Sequence, residues 1–585
     1  MRSQREPAWV LTIGAATILR CLQEATKNTY QREDGMNQRL AVSGDQTIAP
    51  PNRDQLHLRR YRALCLGSLS LVALAVSDAP ARADLVEHKA KPGEIITKGQ
   101  NARAVPVGKM SADNRKRALR QKVASSADGN DRKMVEATAR GRKDLTELNR
   151  RYGVKGWNIP FPSYGDSLLR DEGGWRSALA SAGFGFQAYN IAVFEANMLD
   201  TPRQVPSNYP PCTSRYSQAT GAICAGNQTY FGQRPSYINE TIAWLTYDMS
   251  RWGVPDGQLM VAGLYSAGND VGYLPNSLQL YQLAWYQTFL DKKLEIKFGY
   301  VTNTTEFIGT FVGSNLASTF GPSGSIPIQL GMSISPTPSF RTTWHVTDKI
   351  YNQAAVQRSL PINSVTGNVI FDEALTNPAG INWNGPKGTR ELFIDELGYK
   401  QPASPGNPQT WLRLDLLYNT STFRDFSHLP ANPGATRDGN FGVTFLADRQ
   451  LWQQDHSSPL AAARGLYAGI SVMYAPPEAT GISQYYEGRA YWIGPFDNRP
   501  TDMFSLVAAR NVVSHYLSDA TNRFSGLTGV FAARTSNSVT ATYTAHLMPG
   551  LWGTIGVGYT DHPSLAYFKT EGPSFNVLAS LLVNM

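Results

Sequence analysis

The chain has 585 residues, 42% of them hydrophobic and only 17% charged, with 51 Gly and 27 Tyr. Low charge with abundant Gly, Tyr, Thr and Asn suits a sheet protein rich in turns, and no uninterrupted apolar stretch reaches the roughly 18 residues of a helical membrane span. The net charge of +9 resides upstream, since residues 1–83 carry +4, residues 84–155 carry +9 and residues 156–585 carry −4, so the main body lacks the electrostatic support that nucleic-acid binding needs.

In chain order, residues 1–58 read as an over-extended start or a long pre-region. Residues 59–83 follow the order of a secretory signal peptide: Arg59, Arg60 and Arg62, then an apolar core from Ala63 to Val76, then Ala81-Arg82-Ala83. Cleavage is expected between Ala83 and Asp84, and a core of about 14 residues is too short to cross a bilayer. Residues 84–165 are polar, basic and poor in aromatics, which predicts a flexible periplasmic extension. Stretches 109–120 and 134–151 have helical composition without a convincing apolar stripe. The extension's charge suits weak contact with anionic envelope polymers, although a solvated linker is the simpler reading.

Of the four cysteines, Cys21 precedes the signal core and Cys65 lies within it, which leaves Cys212 and Cys224 after processing. A cysteine pair in an exported chain reads as a disulfide, and closing so short a loop is worth roughly 3 kcal/mol. Independent free thiols are the alternative, and no zinc ligand set accompanies the pair.

From Gly174 onward, segments of about ten residues alternate apolar with polar or small positions, separated by Gly, Pro, Asn and Asp. Leu294, Ile296 and Phe298 share one face, and Lys293, Glu295 and Lys297 the other. Likewise Leu412, Leu414 and Leu416 oppose Trp411, Arg413 and Asp415. Toward the end, Val539, Ala541 and Tyr543 oppose Thr540 and Thr542, and the last strand sets Phe575, Val577, Ala579, Leu581 and Val583 on one side. This pattern fits a soluble sandwich or a membrane barrel. Strand lengths near those of tilted membrane strands, and apolar faces ending in Tyr, Trp or Phe, favour the barrel. Residues 166–585 are therefore read as one closed antiparallel transmembrane β-barrel of about sixteen strands, the first near residues 176–187, in an all-β fold with a polar N-terminal extension.

Three stretches carry a family resemblance: Gly173-Gly174-Trp175-Arg176-Ser177-Ala178-Leu179; Gly439-Asn440-Phe441-Gly442 leading to Asp448-Arg449-Gln450-Leu451-Trp452; and Gly488 through Gly494-Pro495-Phe496 to Arg499-Pro500-Thr501-Asp502. In this order they resemble the carbohydrate-selective outer-membrane porin family (OprB-like), from about Asp166 to the end. The resemblance implies a monomeric barrel in the bacterial outer membrane that passes glucose-like sugars by diffusion, without cofactor or energy source. The chain ends Val583-Asn584-Met585, where such barrels usually end in an aromatic residue.

No nucleophile elbow, zinc-protease helix, dinucleotide turn or P-loop is present, and the eight His are scattered. Clustered acids at Asp372, Glu373, Glu391, Asp395 and Glu396 are ordinary for barrel loops, and no enzymatic activity is expected. A sugar pore needs only hydrogen-bonding side chains and aromatic faces at a constriction. The predicted lining residues are Lys293, Glu295, Lys297, Trp411, Arg413 and Asp415, with a merely polar lumen wall as the bland alternative. Arg499 and Asp502 read as a turn or rim salt bridge, and Asp448 and Arg449 as rim, structural or lumenal. The competing functions are a general small-solute channel and a secreted β-sheet carbohydrate-binding protein.

Overall fold

The computed structural model describes residues 144–157, 163–212, 223–269, 277–308, 325–333, 335–362, 373, 377, 382–385 and 387–585. The pre-region, the signal segment with its cleavage at Ala83 and Asp84, and most of the basic extension lie outside the described residues.

Sixteen antiparallel strands close into one barrel. They are β1 Phe184–Asn197, β2 Ser236–Asp248, β3 Gln258–Gly268, β4 Ser277–Phe289, β5 Leu294–Val301, β6 Thr337–His345, β7 Ile350–Arg358 and β8 Glu391–Gln401. The second half comprises β9 Thr410–Arg424, β10 Thr436–Gln453, β11 Gly465–Tyr474, β12 Ile482–Ile493, β13 Met503–Val513, β15 Thr535–Met548, β16 Leu551–Thr560 and β18 Ser574–Asn584. Two short strands, β14 Val530–Ala532 and β17 Ala566–Phe568, pair with each other apart from the wall. Each wall strand pairs with its neighbours in sequence, and β1 closes on β18 from Tyr189↔Asn584 to Asn197↔Asn576. No edge is left with unpaired backbone, as a lipid surround requires.

The two ends differ. At one, strands join through turns such as 290–293, 346–349 and Pro549 with Gly550; at the other stand long loops, including L1 (198–235), L3 (302–336) and the β7–β8 loop (359–390). Outer-membrane barrels place short turns toward the periplasm and long loops outside. Gly550 has φ +77°, and a Cβ there would run into backbone atoms of Leu168 and Asn584, so only glycine permits this two-residue turn.

Period-two alternation sorts the wall. Outward rows carry Leu245, Val261, Leu283, Leu414, Ile470, Leu506 and Val557, all exposed. Toward the periplasmic end they finish in Trp344, Trp452, Trp492 and Phe504, and toward the outer end in Tyr237, Tyr418, Tyr474 and Tyr559. This is an apolar band between two aromatic girdles. Among the described residues no helix is long and apolar enough to cross a membrane, and the strands do the crossing.

Two expectations need correction. The first strand begins at Phe184, because Trp175–Ser181 forms helix α1 at the periplasmic rim. Arg176 is buried there, its guanidinium 4.1 Å from the Tyr164 ring and donating to the carbonyls of Arg170 and Phe186, each at 2.6 Å. Residues 144–157 and 163–165, expected within a flexible arm, are docked instead: 144–152 is helical, and Leu145, Leu148 and Tyr152 pack against Tyr164 and Ala180. The spacing of those three apolar residues is a short stripe of helical period, enough to seat one face.

Candidate functional site

The described parts of L3, 302–308, 325–333 and 335–336, fold into the lumen. Helices α2 (Thr304–Phe307) and α3 (Ser325–Gln329) lie in L3. Phe307, Ile308, Ile326, Leu330 and Met332 pack against the inward residues Leu392, Ile394, Leu417, Leu446, Met473 and Tyr485. Burying five such side chains stabilises the inward pose by roughly 10 kcal/mol before ordering costs.

L3 also brings charge. Lys297 on β5 and Arg341 on β6 are register partners facing the lumen, and like charges directly opposite repel. Glu306 of L3 lies between them, its carboxylate 2.5 Å from Lys297 Nζ and paired also with Arg341. All three side chains are almost wholly buried, at 0–1% exposure. Glu295 pairs with His345 at 2.8 Å and stands 3.9 Å from Arg341. On β9, Arg413 stacks on Trp411 at 4.0 Å and donates to the carbonyls of Phe307 and Ile308 at 2.7 and 2.9 Å. Trp411 Nε1 donates to Tyr351 Oη at 3.0 Å, and Tyr351 donates to Glu396 at 2.7 Å. Asp415 accepts from Thr444 and faces Glu396 in the β8–β9 register.

A second cluster sits on β10–β12. Asp448 receives Arg489 Nε at 2.9 Å and NH2 at 2.5 Å, and Arg489 NH1 also reaches Glu487 at 2.5 Å. Tyr491 donates to Asp448 at 3.1 Å and stacks on Tyr467 at 4.9 Å. The wall across the barrel carries hydroxyls instead: Ser505, Ser538, Thr540, Thr542, Thr554 and Ser580 point inward from β13, β15, β16 and β18.

The residues singled out in the sequence fall as follows. Glu295, Lys297, Trp411, Arg413 and Asp415 are on inward rows, and Leu294, Ile296, Phe298, Leu412, Leu414 and Leu416 on outward ones. Lys293 departs from expectation: it lies in the 290–293 turn, one residue before β5, and is exposed at the rim. Asp448 faces inward, whereas its neighbour Arg449 is outward and exposed. Arg499 pairs with Asp502 in the turn before β13, and Asp502 also accepts from the His546 amide at 2.8 Å. Cys212 and Cys224 are joined within L1, with Cα atoms 5.0 Å apart.

Residues the sequence reading passed over are Glu306, Arg341, Glu487 and Arg489. Arg341 and Arg489 stand on alternating rows, Ser339-Arg341-Thr343 and Tyr485-Glu487-Arg489-Tyr491, which the same period-two test would have found. Glu306 is in a loop and carries no periodic signal. Among the described residues no three His, Cys, Asp or Glu side chains are placed to hold a metal.

A closed sixteen-stranded barrel with an apolar outer band, aromatic girdles, a polar lumen and an inward-folded loop defines an outer-membrane porin. The signature of the carbohydrate-selective porin, OprB family, matches residues 223–570, more than half of the chain, and the chain belongs to that family. It is thus a channel for sugars in the bacterial outer membrane. The chain is similar in fold to the high-pH structure of Pseudomonas putida OprB, with a TM-score of 0.57 at 16% identity, covering 72% of this chain and 98% of that one. The low-pH structure of the same protein gives 0.43 at 14% identity, covering 72% and 98%. The DcaP channel of Acinetobacter baumannii gives 0.38 at 10%, covering 69% and 98%. No curated protein sequence matches the chain.

Proposed function

We propose that small, glucose-like sugars cross by diffusion between the charged wall of β5–β9 and the hydroxyl wall of β13–β18, without catalysis or cofactor. The observation that carries this is L3, drawn inward and held by Glu306 between Lys297 and Arg341, with Arg413 on its carbonyls. On this reading Lys297 and Arg413 act through L3, setting the width of the path. Glu295, His345 and Lys400, only partly covered, meet the solute from the charged side. Sugar hydroxyls find donors and acceptors on both sides, and each contact is weak enough for release. A single chain encloses the whole path, so no partner copy is needed for a pore. Residues 84–143 serve as a periplasmic extension and 166–585 as the pore domain.

Planar-bilayer recording tests this. Glu306→Gln leaves two cations without their shared anion, and the ion current is expected to shift toward anion preference. Trp411→Ala removes the platform under Arg413, and block of the current by glucose is expected to weaken. Both variants matching the wild type in selectivity and block would overturn the assignment of the constriction to this wall.

A further inference from the structure

The lumen holds a second insertion, and it comes from the other end. After helix 144–152, residues 153–157 run into the barrel along the inner face of β2–β6. An extended segment inside a lumen has no ladder to satisfy its carbonyls. Here four wall donors do so, from β2, β3, β5 and β6. Thr246 on β2 donates to the Tyr152 carbonyl at 2.5 Å and Gln258 on β3 to that of Gly153 at 2.9 Å. Lys297 on β5 reaches that of Lys155 at 3.4 Å, and Arg341 on β6 that of Gly156 at 2.7 Å. The Lys155 amide returns a bond to Gln258 at 3.2 Å.

Between these donors the wall carries apolar side chains where a water-filled pore would want polar groups. Val154 packs against the cluster of Met260, Ala284, Tyr286 and Val301, and with Trp157 against that of Ile242, Trp244, Ala262 and Tyr281. The Trp157 and Trp244 rings meet edge to face at 5.1 Å. The segment is fitted closely: Gly156 has φ +75°, and a Cβ there would come within 2.8 Å of Arg341 NH2 and 3.0 Å of the Tyr286 ring. Lys297 and Arg341 are the same two cations that Glu306 bridges. The strap and L3 thus close on one junction from opposite ends of the barrel.

We propose that residues 152–157 form a second, periplasmic constriction element, a strap that narrows the lumen jointly with L3 and sets the size of solute that passes. The proposal rests on the chain being a pore and not on which sugar crosses, so its test reads salt current first. The full chain is compared as wild type, Gly156→Val and Gly165→Ala in planar bilayers and in liposomes with solutes of graded size. Gly165 lies nearby in sequence with nothing within 4 Å of its Cβ position. Gly156→Val pushes the strap off Arg341, and the channel is expected to conduct roughly twofold more or better and to admit trisaccharides faster. Gly165→Ala is expected to match the wild type. Heat-modifiable mobility in gels reports whether each variant has folded. If Gly156→Val does not fold, Trp157→Ala, which removes the strap's largest anchor, takes its place with the same expected rise. A folded variant of either kind with wild-type conductance and size cut-off contradicts the strap's role.

Discussion

A carboxylate that burial has taken out of water is sensitive to pH, and Glu571 in the β16–β18 loop (561–573) is such a residue. It accepts from Thr229 of L1 at 2.9 Å, its other oxygen has no partner among the described residues, and burial pushes its pKa from 4.5 up to about 7. The protonated form fits the site, so the L1 contact is fully stable below about pH 4.5, weakens as pH rises through about 7, and levels off above. Hydrogen exchange at the Thr229 amide, bonded to Gln233 at 2.8 Å, is expected to quicken between pH 5 and pH 8 beyond its intrinsic rise. In Glu571→Gln that excess should vanish; its persistence would show that another group titrates. At Arg489, by contrast, two acids flank one cation, with Asp448 and Glu487 both in contact. Loss of one partner from so buried a group costs about 3–5 kcal/mol, which makes it a support of the wall.

Among the elements, the strands were legible and the insertions were not. Strict alternation in 411–416 and 539–547 identified two-faced strands, and the outward rows follow it. Where alternation failed, the reason is covering from inside. Leu392-Phe393-Ile394 and Leu416-Leu417 are apolar on both faces because L3 rests on Leu392, Ile394 and Leu417. Ile242, Trp244 and Met260 face inward because the strap rests on them. Continuous apolar runs inside otherwise alternating strands thus mark the footprints of lumenal insertions, a signal present in the sequence and left unused. Glu306 and the course of residues 153–157 depend on tertiary docking and have no local pattern. Lys293 fell outside β5 because 290–292 take left-handed backbone in the turn, ending the strand one residue short. L1 offers an element-scale test. Its amides at Val205, Ala225 and Gly226 bond within the loop near the Cys212–Cys224 link. Reduction restores loop freedom worth about 3 kcal/mol, so these amides are expected to exchange up to roughly 100-fold faster while wall amides keep their rates. Equal slowing or quickening of the whole barrel would show that the link supports the fold and not the loop.

For the whole molecule, a barrel with sixteen strands would enclose a wide aqueous channel if its lumen were empty. This lumen is narrowed by L3 from the outer end and by the strap from the periplasmic end, meeting at Lys297, Arg341 and Glu306. The path we propose runs between charged side chains on β5–β9 and hydroxyls on β13–β18 and needs neither energy source nor cofactor. Such a path should favour small polyhydroxyl solutes over charged or zwitterionic ones of equal size, because every wall contact is a hydrogen bond that a hydroxyl can make in either sense. The most direct measurement is swelling of proteoliposomes in isotonic glucose, a disaccharide, and an amino acid of similar size to glucose. Swelling is expected to be fastest in glucose, slower in the disaccharide and clearly slower in the amino acid; equal rates for glucose and the amino acid would contradict a sugar-selective path and identify a general solute channel.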